Sequence, residues 1–291
     1  MSGQIWSIGL AFGASPLALR VPDSPILTKA DITDVAADFV ADPFLIRLNQ
    51  SWHLFFEIWN RNADKGEIGH AQSADLRHWT YDGIVLREPW HLSYPHVFEH
   101  GGEIWMTPES TDAGGVHLYR AASFPHRWHD EGVLVPGALA DPSPLFWQGN
   151  WYLFACPSFE KHDDLTLFTS AQLDGGWRPH PAGLLRTADV RGSRPAGRLL
   201  NDEGRLLRWA QDCYPQYGTA VRAFEILELN PERYRERELP ESPVLVAGGD
   251  SWRHGGMHHI DAHRLPDDDR AGWGAAVDGF YVEAQPDGCE C

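Results

Sequence analysis

Residues 41–57, ADPFLIRLNQSWHLFFE, decide the fold, because the same design returns along the chain. An Asp-Pro opens a short apolar run, a polar turn follows at Asn49-Gln50, and a second apolar run ends on Glu57. This is the pattern of a β-hairpin. It recurs as SYPHVFEHGGEIWMTPE (93–109), ADPSPLFWQGNWYLFAC (140–156) and SRPAGRLLNDEGRLLRWAQD (193–212). A degenerate fifth copy reads MHHIDAHRLPDDDRAGWGAAVDG (257–279), with the acidic stretch Pro266 to Gly272 as its turn.

Outward from each of the first four hairpins a third apolar run follows: EIGHAQS (67–73), VHLYRAA (116–122), LTLFTSA (165–171) and AVRAFEI (220–226). Short fourth runs come next: GIVL (83–86), GVLV (132–135), AGLL (182–185) and SPVL (242–245). Trp79, Trp128 and Trp177 precede the first three of these at nearly constant distance. Four-stranded units of about 50 residues are the signature of propeller blades. The fifth hairpin lacks outer runs after it, and the N-terminal region has two, WSIGLAF (6–12) and SPIL (24–27), with no hairpin before them. The expected fold is an all-β, five-bladed β-propeller whose N-terminal strands complete the last blade. Residues 1–282 are expected to form one domain, with a disordered tail at 283–291.

Propeller geometry turns the repeat into a list of neighbours. The first strand of each blade lines the axis, and the antiparallel second strand returns to the same mouth. First-strand starts are Asp42, Tyr94, Asp141, Arg194 and His259; second-strand ends are Glu57, Glu109, Cys156, Gln211 with Asp212, and Asp278. Asp42 to Glu57, Tyr94 to Glu109 and Asp141 to Cys156 all span fifteen residues, so Glu57 and Glu109 hold one structural position. Charge gathered at a buried mouth needs partners or a purpose. A ring of carboxylates and Arg194 tying the blades together is one reading; a pocket for a small molecule is the other. Carboxylates at one mouth suit glycoside chemistry, where one attacks or activates water and another, held protonated, protonates the leaving oxygen. A third raises the acid's pKa by like-charge proximity. Tyr94, Trp90 and the histidines, His91 among them, offer stacking faces and hydrogen bonds to a sugar.

The stretches ADPF and DPSPLF resemble the five-bladed glycosidases of the arabinanase, xylosidase and invertase type. The resemblance implies Asp42 as base or nucleophile and Asp141 as modulator of the acid. Those families open the fourth blade with the acidic Glu, where this chain has Arg194 in SRPAGR. A wider resemblance rests on VADPFL, FFE, EPWHLSYPHVFE, RPAGR, AQDCYPQYG, VRAFEI and GMHHIDAH. Together these are similar to family-43-like propellers that include the N-terminal region of plant glucosamine inositolphosphorylceramide transferases and stand-alone bacterial proteins. What this implies is glycan or glycoconjugate chemistry. In the plant proteins a separate C-terminal domain carries glycosyl transfer, so that activity is not expected of this chain. For a hydrolase, the assignment is Asp42 as base or nucleophile, Glu109 as acid with Glu57 competing, and Asp141 as modulator. The alternative is a carbohydrate-binding propeller that has lost its acid. Arg194 suits a carboxylate or phosphate on the ligand, or a salt bridge to Asp42 or Asp141.

His259, Asp261 and His263 share one face of a strand, but about 13 Å separates the two histidines, beyond the reach of one ion. Imidazoles lining the channel are expected instead, with His258 or His259 on the ligand; no metal and no cofactor are expected. Cys213 reads as a buried small residue, and Gln211, Asp212 and Asp261 as ligand contacts. The net charge of −17 argues against nucleic acid and anionic membranes as partners. Cys156, Cys213, Cys289 and Cys291 form no CxxC pair, no run of about 18 apolar residues suggests a membrane span, and no basic leader is evident. A cytoplasmic protein binding a small molecule or oligosaccharide is expected. The sequence leaves the oligomeric state open.

Overall fold

A computed structural model describes residues 3–157, 160–266 and 272–283. The chain forms five antiparallel sheets arranged as a five-bladed β-propeller. Blade 1 is Ala37–Leu48, Ser51–Asn60, Lys65–Ser73 and Thr80–Leu86. Blade 2 is Ser93–His100, Glu103–Glu109, Gly115–Ser123 and Arg127–Pro136. Blade 3 is Ala140–Trp147, Asn150–Cys156, Leu165–Ser170 and Arg178–Arg186. Blade 5 pairs Ile260–Arg264 with Trp273–Val282, and Trp273–Val282 pairs in turn with the N-terminal strand Gln4–Gly13. Leu27 then bridges Ile8, so the second N-terminal run touches the same sheet. The expected closure of the last blade by the N-terminal strands is observed. Most of the acidic turn of the fifth copy and the expected tail beyond Glu283 lie outside the described residues. Among the described residues no helix is long and apolar enough to cross a membrane.

The repeated tryptophans have one shared duty. Trp79, Trp128 and Trp177 each donate an indole hydrogen bond to a carbonyl three or four residues earlier, at Leu76, Pro125 and Leu173. Each fastens the turn between a third and a fourth strand, which explains the constant spacing.

Blade 4 departs from the hairpin expectation twice. Its inner strand is broken: Pro195 bridges Ala210, and pairing resumes only at Leu200–Asp202. The break falls at Gly197, whose φ is +127° and where an added Cβ would sit 1.9 Å from the Ile260 carbonyl oxygen. Only glycine permits that approach of blade 4 to blade 5. Its outer strand is Tyr234–Glu238, not the expected SPVL run, although Leu245–Val246 also pairs with Ala220–Leu229. YRERE carries no apolar signal because the strand is largely solvent-facing; Arg237 and Glu238 instead pair across it with Glu225 and Arg222.

Three inner strands share one irregularity. Asp42, Tyr94 and Asp141 have φ of 53°, 47° and 51°, and the register shifts around each. Each precedes proline, and a left-handed residue there is costly. The bulge turns each N–H toward a carboxylate. Asp42 N–H donates to Asp278 (3.0 Å), Tyr94 N–H to Asp42 (3.2 Å) and Asp141 N–H to Glu109 (3.0 Å). Arg194 continues from blade 4 to Asp141 (2.6 Å), and the Ile260 N–H of blade 5 donates to the Ala196 carbonyl (2.8 Å). These contacts bridge all five blade junctions.

Farther along the axis Arg198 fills the channel. Its guanidinium donates to Asp261 (2.8 Å), Val97 O (2.7 Å) and Leu45 O (3.2 Å), and lies over Phe44. Asp261 also accepts from Leu45 N–H and contacts His263 at 3.0 Å. Burial would raise the Asp261 carboxyl, but Arg198 and His263 hold it well below the carboxylate range. Arg198→Ala strands the fully buried Asp261 charge. Urea unfolding is expected to show a loss of about 3–5 kcal/mol at neutral pH; a loss under about 1 kcal/mol would contradict the role given to this pair.

Candidate functional site

Above the Arg198 plug the axis opens into a cavity of about 330 Å³. Asp42 and Glu57 of blade 1 and Glu109 of blade 2 supply its carboxyl groups, and Arg194, His258, His91 and His162 its nitrogen groups. Trp6, Phe39, Trp59 and Tyr217 form the aromatic walls. Glu57 and Glu109 stand opposite Ala41 and Ser93, the residues before the two left-handed positions, so they do occupy one structural position.

Two ion pairs set the electrostatics. Arg194 grips Asp141 with two nitrogens (2.6 and 3.3 Å), approaches Glu109 at 3.6 Å and meets His162 Nδ1 at 2.8 Å. Gln211 donates to the same Asp141 carboxylate at 2.7 Å. Burial would raise Asp141, yet Arg194 outweighs it and holds the group below the ordinary carboxylate value. Likewise His258 Nδ1 lies 2.7 Å from Asp278; burial opposes the imidazolium, but Asp278 and Asp42 raise it overall. Trp6 stacks on the His258 ring, with centroids 4.0 Å apart.

The other three acids lean toward the neutral form. Burial raises Asp42 to about 7, opposed by His258 and assisted by Asp141 and Asp278. Burial also pushes Glu57 and Glu109 well above the usual range, with neighbouring carboxylates adding to it. Glu57 is 6% exposed, and its carboxyl has no hydrogen-bond partner among the described residues. Its nearest nitrogen is His91 Nε2 at 3.8 Å. His91 Nδ1 accepts the Gly66 N–H (2.8 Å), so the neutral ring carries its proton on Nε2, facing Glu57. The cavity therefore gathers an aspartate raised to about 7 and two glutamates held above their ordinary values, a set able to perform proton transfer.

The remaining expected residues lie elsewhere. Tyr94 is buried beneath the cavity, with its hydroxyl against Ser143 (2.8 Å) and accepting the Gly197 N–H (2.6 Å). His259 lies behind Asp42 (3.7 Å), packed between Phe44 and Tyr94, with neither ring nitrogen hydrogen-bonded. Asp261 belongs to the Arg198 plug. Asp212 turns outward to Arg222 (2.8 Å), because it follows Gln211 on the strand and takes the opposite face. Trp90 packs against His117 and lines a separate cavity that shares His91 and Trp59 with the axial one. Burial raises the Cys213 thiol to about 12, so it stays protonated.

Besides the small residues Ala41 and Ser93, the lining side chains not anticipated are Trp6, Phe39, Trp59, His162 and Tyr217. Trp59 follows Glu57 by two positions on one strand and so shares its face, a signal present in the sequence. Tyr217 lies in AQDCYPQYG and Trp6 opens the N-terminal run. Phe39 and His162 carry no such mark; Phe39 enters by stacking on Trp59, with centroids 5.7 Å apart. All four aromatic residues also line a neighbouring cavity of about 610 Å³, which adjoins the axial one through them.

A family model described as "Glucosamine inositolphosphorylceramide transferase 1, N-terminal" matches residues 2–280. The chain is 36% identical over 303 residues to glucosamine inositolphosphorylceramide transferase 1 of Oryza sativa subsp. japonica, covering 95% of this chain and 40% of that protein. It is 34% identical over 301 residues to the protein of the same name from Arabidopsis thaliana, covering 95% and 39%. The chain thus spans about 40% of the length of these relatives. Among solved structures it is similar to the catalytic domain of the Coprinopsis cinerea GH62 α-L-arabinofuranosidase, with a TM-score of 0.63, 11% identity, and 96% and 98% coverage. It is also similar to an exo-1,5-α-L-arabinanase from a bovine ruminal metagenomic library, with a TM-score of 0.61, 11% identity, and 81% and 96% coverage. At these identities the structural likeness speaks to the fold.

Folding raises Glu57 above its ordinary 4.5, so the native state keeps a proton that the unfolded chain releases. Stability therefore falls as pH climbs above 4.5, until the raised folded value is passed. Glu57→Gln removes this slope. Thermal melts across pH should show little gain at acidic pH and a stabilisation of about 1–2 kcal/mol at mildly alkaline pH. A variant offset that does not change with pH would contradict the assignment of a buried, neutral Glu57.

Proposed function

The chain belongs to the family of the N-terminal region of glucosamine inositolphosphorylceramide transferase 1, and from that premise we propose that it cleaves or transfers a glycosyl unit of a glycan or glycoconjugate seated in the axial cavity. The observation that carries this reading is the convergence of Asp42, Glu57 and Glu109 on one cavity walled by Trp6, Phe39, Trp59 and Tyr217. Glycosidic bond cleavage requires a carboxylate that attacks the anomeric carbon or activates water, and a carboxylic acid that protonates the leaving oxygen. Asp42, titrating near neutrality, suits the first task. For the second the geometry favours Glu57 over Glu109. Glu109 accepts the Asp141 N–H and lies 3.6 Å from Arg194, whereas no such bond ties Glu57. Asp141, held ionised by Arg194, adds its charge to the forces that raise Glu109. The adjoining cavity that shares the four aromatic walls has room for the leaving unit.

A second reading has its own support. Arg194 stands where the arabinanase-type glycosidases carry their acidic Glu, and it is spent on Asp141. On that reading the propeller binds a carbohydrate without breaking it. Release assays on aryl glycosides and natural oligosaccharides separate the two. Turnover by the wild type is expected to fall at least about 100-fold in Asp42→Asn. Glu57→Gln should fall comparably on poor leaving groups and much less on activated aryl glycosides, which need no proton. Saturable binding with no product on any substrate would favour the second reading and end the first.

A further inference from the structure

The segment EPWHL (88–92) links blade 1 to blade 2 and is fastened to the start of the strand Lys65–Ser73. The Lys65 ammonium donates to the Glu88 carbonyl, the Leu92 N–H to the Gly66 carbonyl (3.1 Å), and the Gly66 N–H to His91 Nδ1 (2.8 Å). These bonds place the His91 ring, and Trp59 packs beside it with centroids 5.5 Å apart. The ring lines both the axial cavity and the outer cavity of about 580 Å³ formed with Trp90, Lys65 and Asp112. Position 66 has no room for a side chain. A Cβ there would lie 2.3 Å from the Leu92 carbonyl oxygen, 2.6 Å from His91 Cε1 and 2.7 Å from Glu57 Oε1. Glycine is what lets the imidazole and the carboxyl share one corner.

Because Nδ1 is already an acceptor, the neutral ring carries its proton on Nε2, 3.8 Å from Glu57 Oε1. Burial favours that neutral ring, against the pull of Asp112. The charged groups that act on Glu57 most strongly are acids: Asp42 on its own blade, and Glu109, Asp141 and Asp278 from three other blades. Of the cationic and imidazole groups at the same cavity, Arg194 is held by Asp141, His258 by Asp278, and His162 faces Arg194.

We propose that His91 is a positioning residue for Glu57, a neutral imidazole locked by Gly66 so that its N–H awaits the carboxylate left when the acid gives up its proton. The inference rests on the glycosyl chemistry proposed above, with Glu57 as the acid. In that step the bond from the anomeric carbon to the leaving oxygen breaks. The oxygen keeps the electron pair and takes the proton from the Glu57 O–H. Glu57 becomes a buried anion among four other acids. A donor at Nε2 then forms a charge-assisted bond, stronger than the one it makes with the neutral acid. Catalytic hydrogen bonds are often long before substrate arrives and tighten in the reacting complex. His91 keeps its own proton throughout, since the Gly66 N–H occupies the nitrogen through which a relay would run.

Carbon-13 NMR titration of the glutamate side chains in the ligand-free chain tests this, with the Glu57 carboxyl identified by its loss in Glu57→Gln. His91→Phe removes the donor, and the Glu57 midpoint should move to higher pH. His91→Gln keeps an N–H near the position of Nε2, and the midpoint should stay close to that of the wild type. Both variants leave the Gly66 N–H without its acceptor, so thermal melts should show a similar loss of stability in each. A midpoint that shifts alike in both, or in neither, gives His91 a structural role only and overturns the proposal. Should His91→Phe not fold, Gly66→Ala takes its place: it keeps both side chains and forces them apart, with the same upward shift expected. In release assays His91→Phe should lose at least about tenfold in kcat on poor leaving groups, with KM little changed and activity largely restored in His91→Gln. The titration needs no substrate. A selective shift in a chain that turns over nothing leaves the pairing of His91 with Glu57 standing and removes the glycosyl-transfer reading; turnover with an unmoved Glu57 midpoint does the reverse.

Discussion

The structure depends on a circle of polar contacts at its centre, where backbone N–H groups in a left-handed conformation donate to carboxylates of the neighbouring blade. Asp278 receives Asp42, Asp42 receives Tyr94, and Glu109 receives Asp141. Arg194 and the Ala196 carbonyl complete the circuit through blade 4. Apolar packing between blades tolerates sliding; a directed bond to a single bulged amide does not. Two of the acids that register the blades, Asp42 and Glu109, also line the cavity, so structural and chemical demands fall on the same side chains. A buried acid that must both accept a backbone bond and change protonation state has little freedom to be replaced.

The axis divides into two regions of opposite character. Where Arg198 lies, charge is fully matched, and Asp261 is locked in its ionised form by the guanidinium and His263. Around Glu57 charge is under-matched, and burial with neighbouring carboxylates holds Glu57 and Glu109 well above the ordinary carboxylate range. The difference comes from how many bases each level holds. A saturated ion pair gives rigidity; an unsaturated cluster gives groups that can exchange protons with a ligand.

Much of this could be read from the chain. Repetition of the Asp-Pro and Tyr-Pro hairpins revealed the blades and placed Asp42, Glu57, Glu109 and Asp141 close together at one mouth, since strand direction and period follow from backbone geometry. The alternative of a salt bridge from Arg194 to Asp141 was also visible. What escaped is what period does not encode. Asp212 and Gln211 are adjacent, and a strand can present only one of them inward. Tyr94 and His259 sit at first-strand starts, yet Tyr94 bonds Ser143 and Gly197 and His259 packs between Phe44 and Tyr94; at Tyr94 a bulge redirects the chain without any mark in composition. Tyr234–Glu238 lacked an apolar run because cross-strand ion pairs do the work of hydrophobic contact there. Phe39 and His162 reach the cavity from positions outside the repeat.

Trp6 belongs to the strand that joins the two ends of the chain into a closed ring, and it also forms a wall of the cavity. The latch of the toroid and the roof over its occupant are therefore the same piece of polypeptide. A molecule resting on that indole adds its binding energy to the seam, so occupancy and circumferential integrity are thermodynamically linked. Fraying at the extreme N-terminal segment would be felt first as a leak in the cavity, before any blade lost its shape.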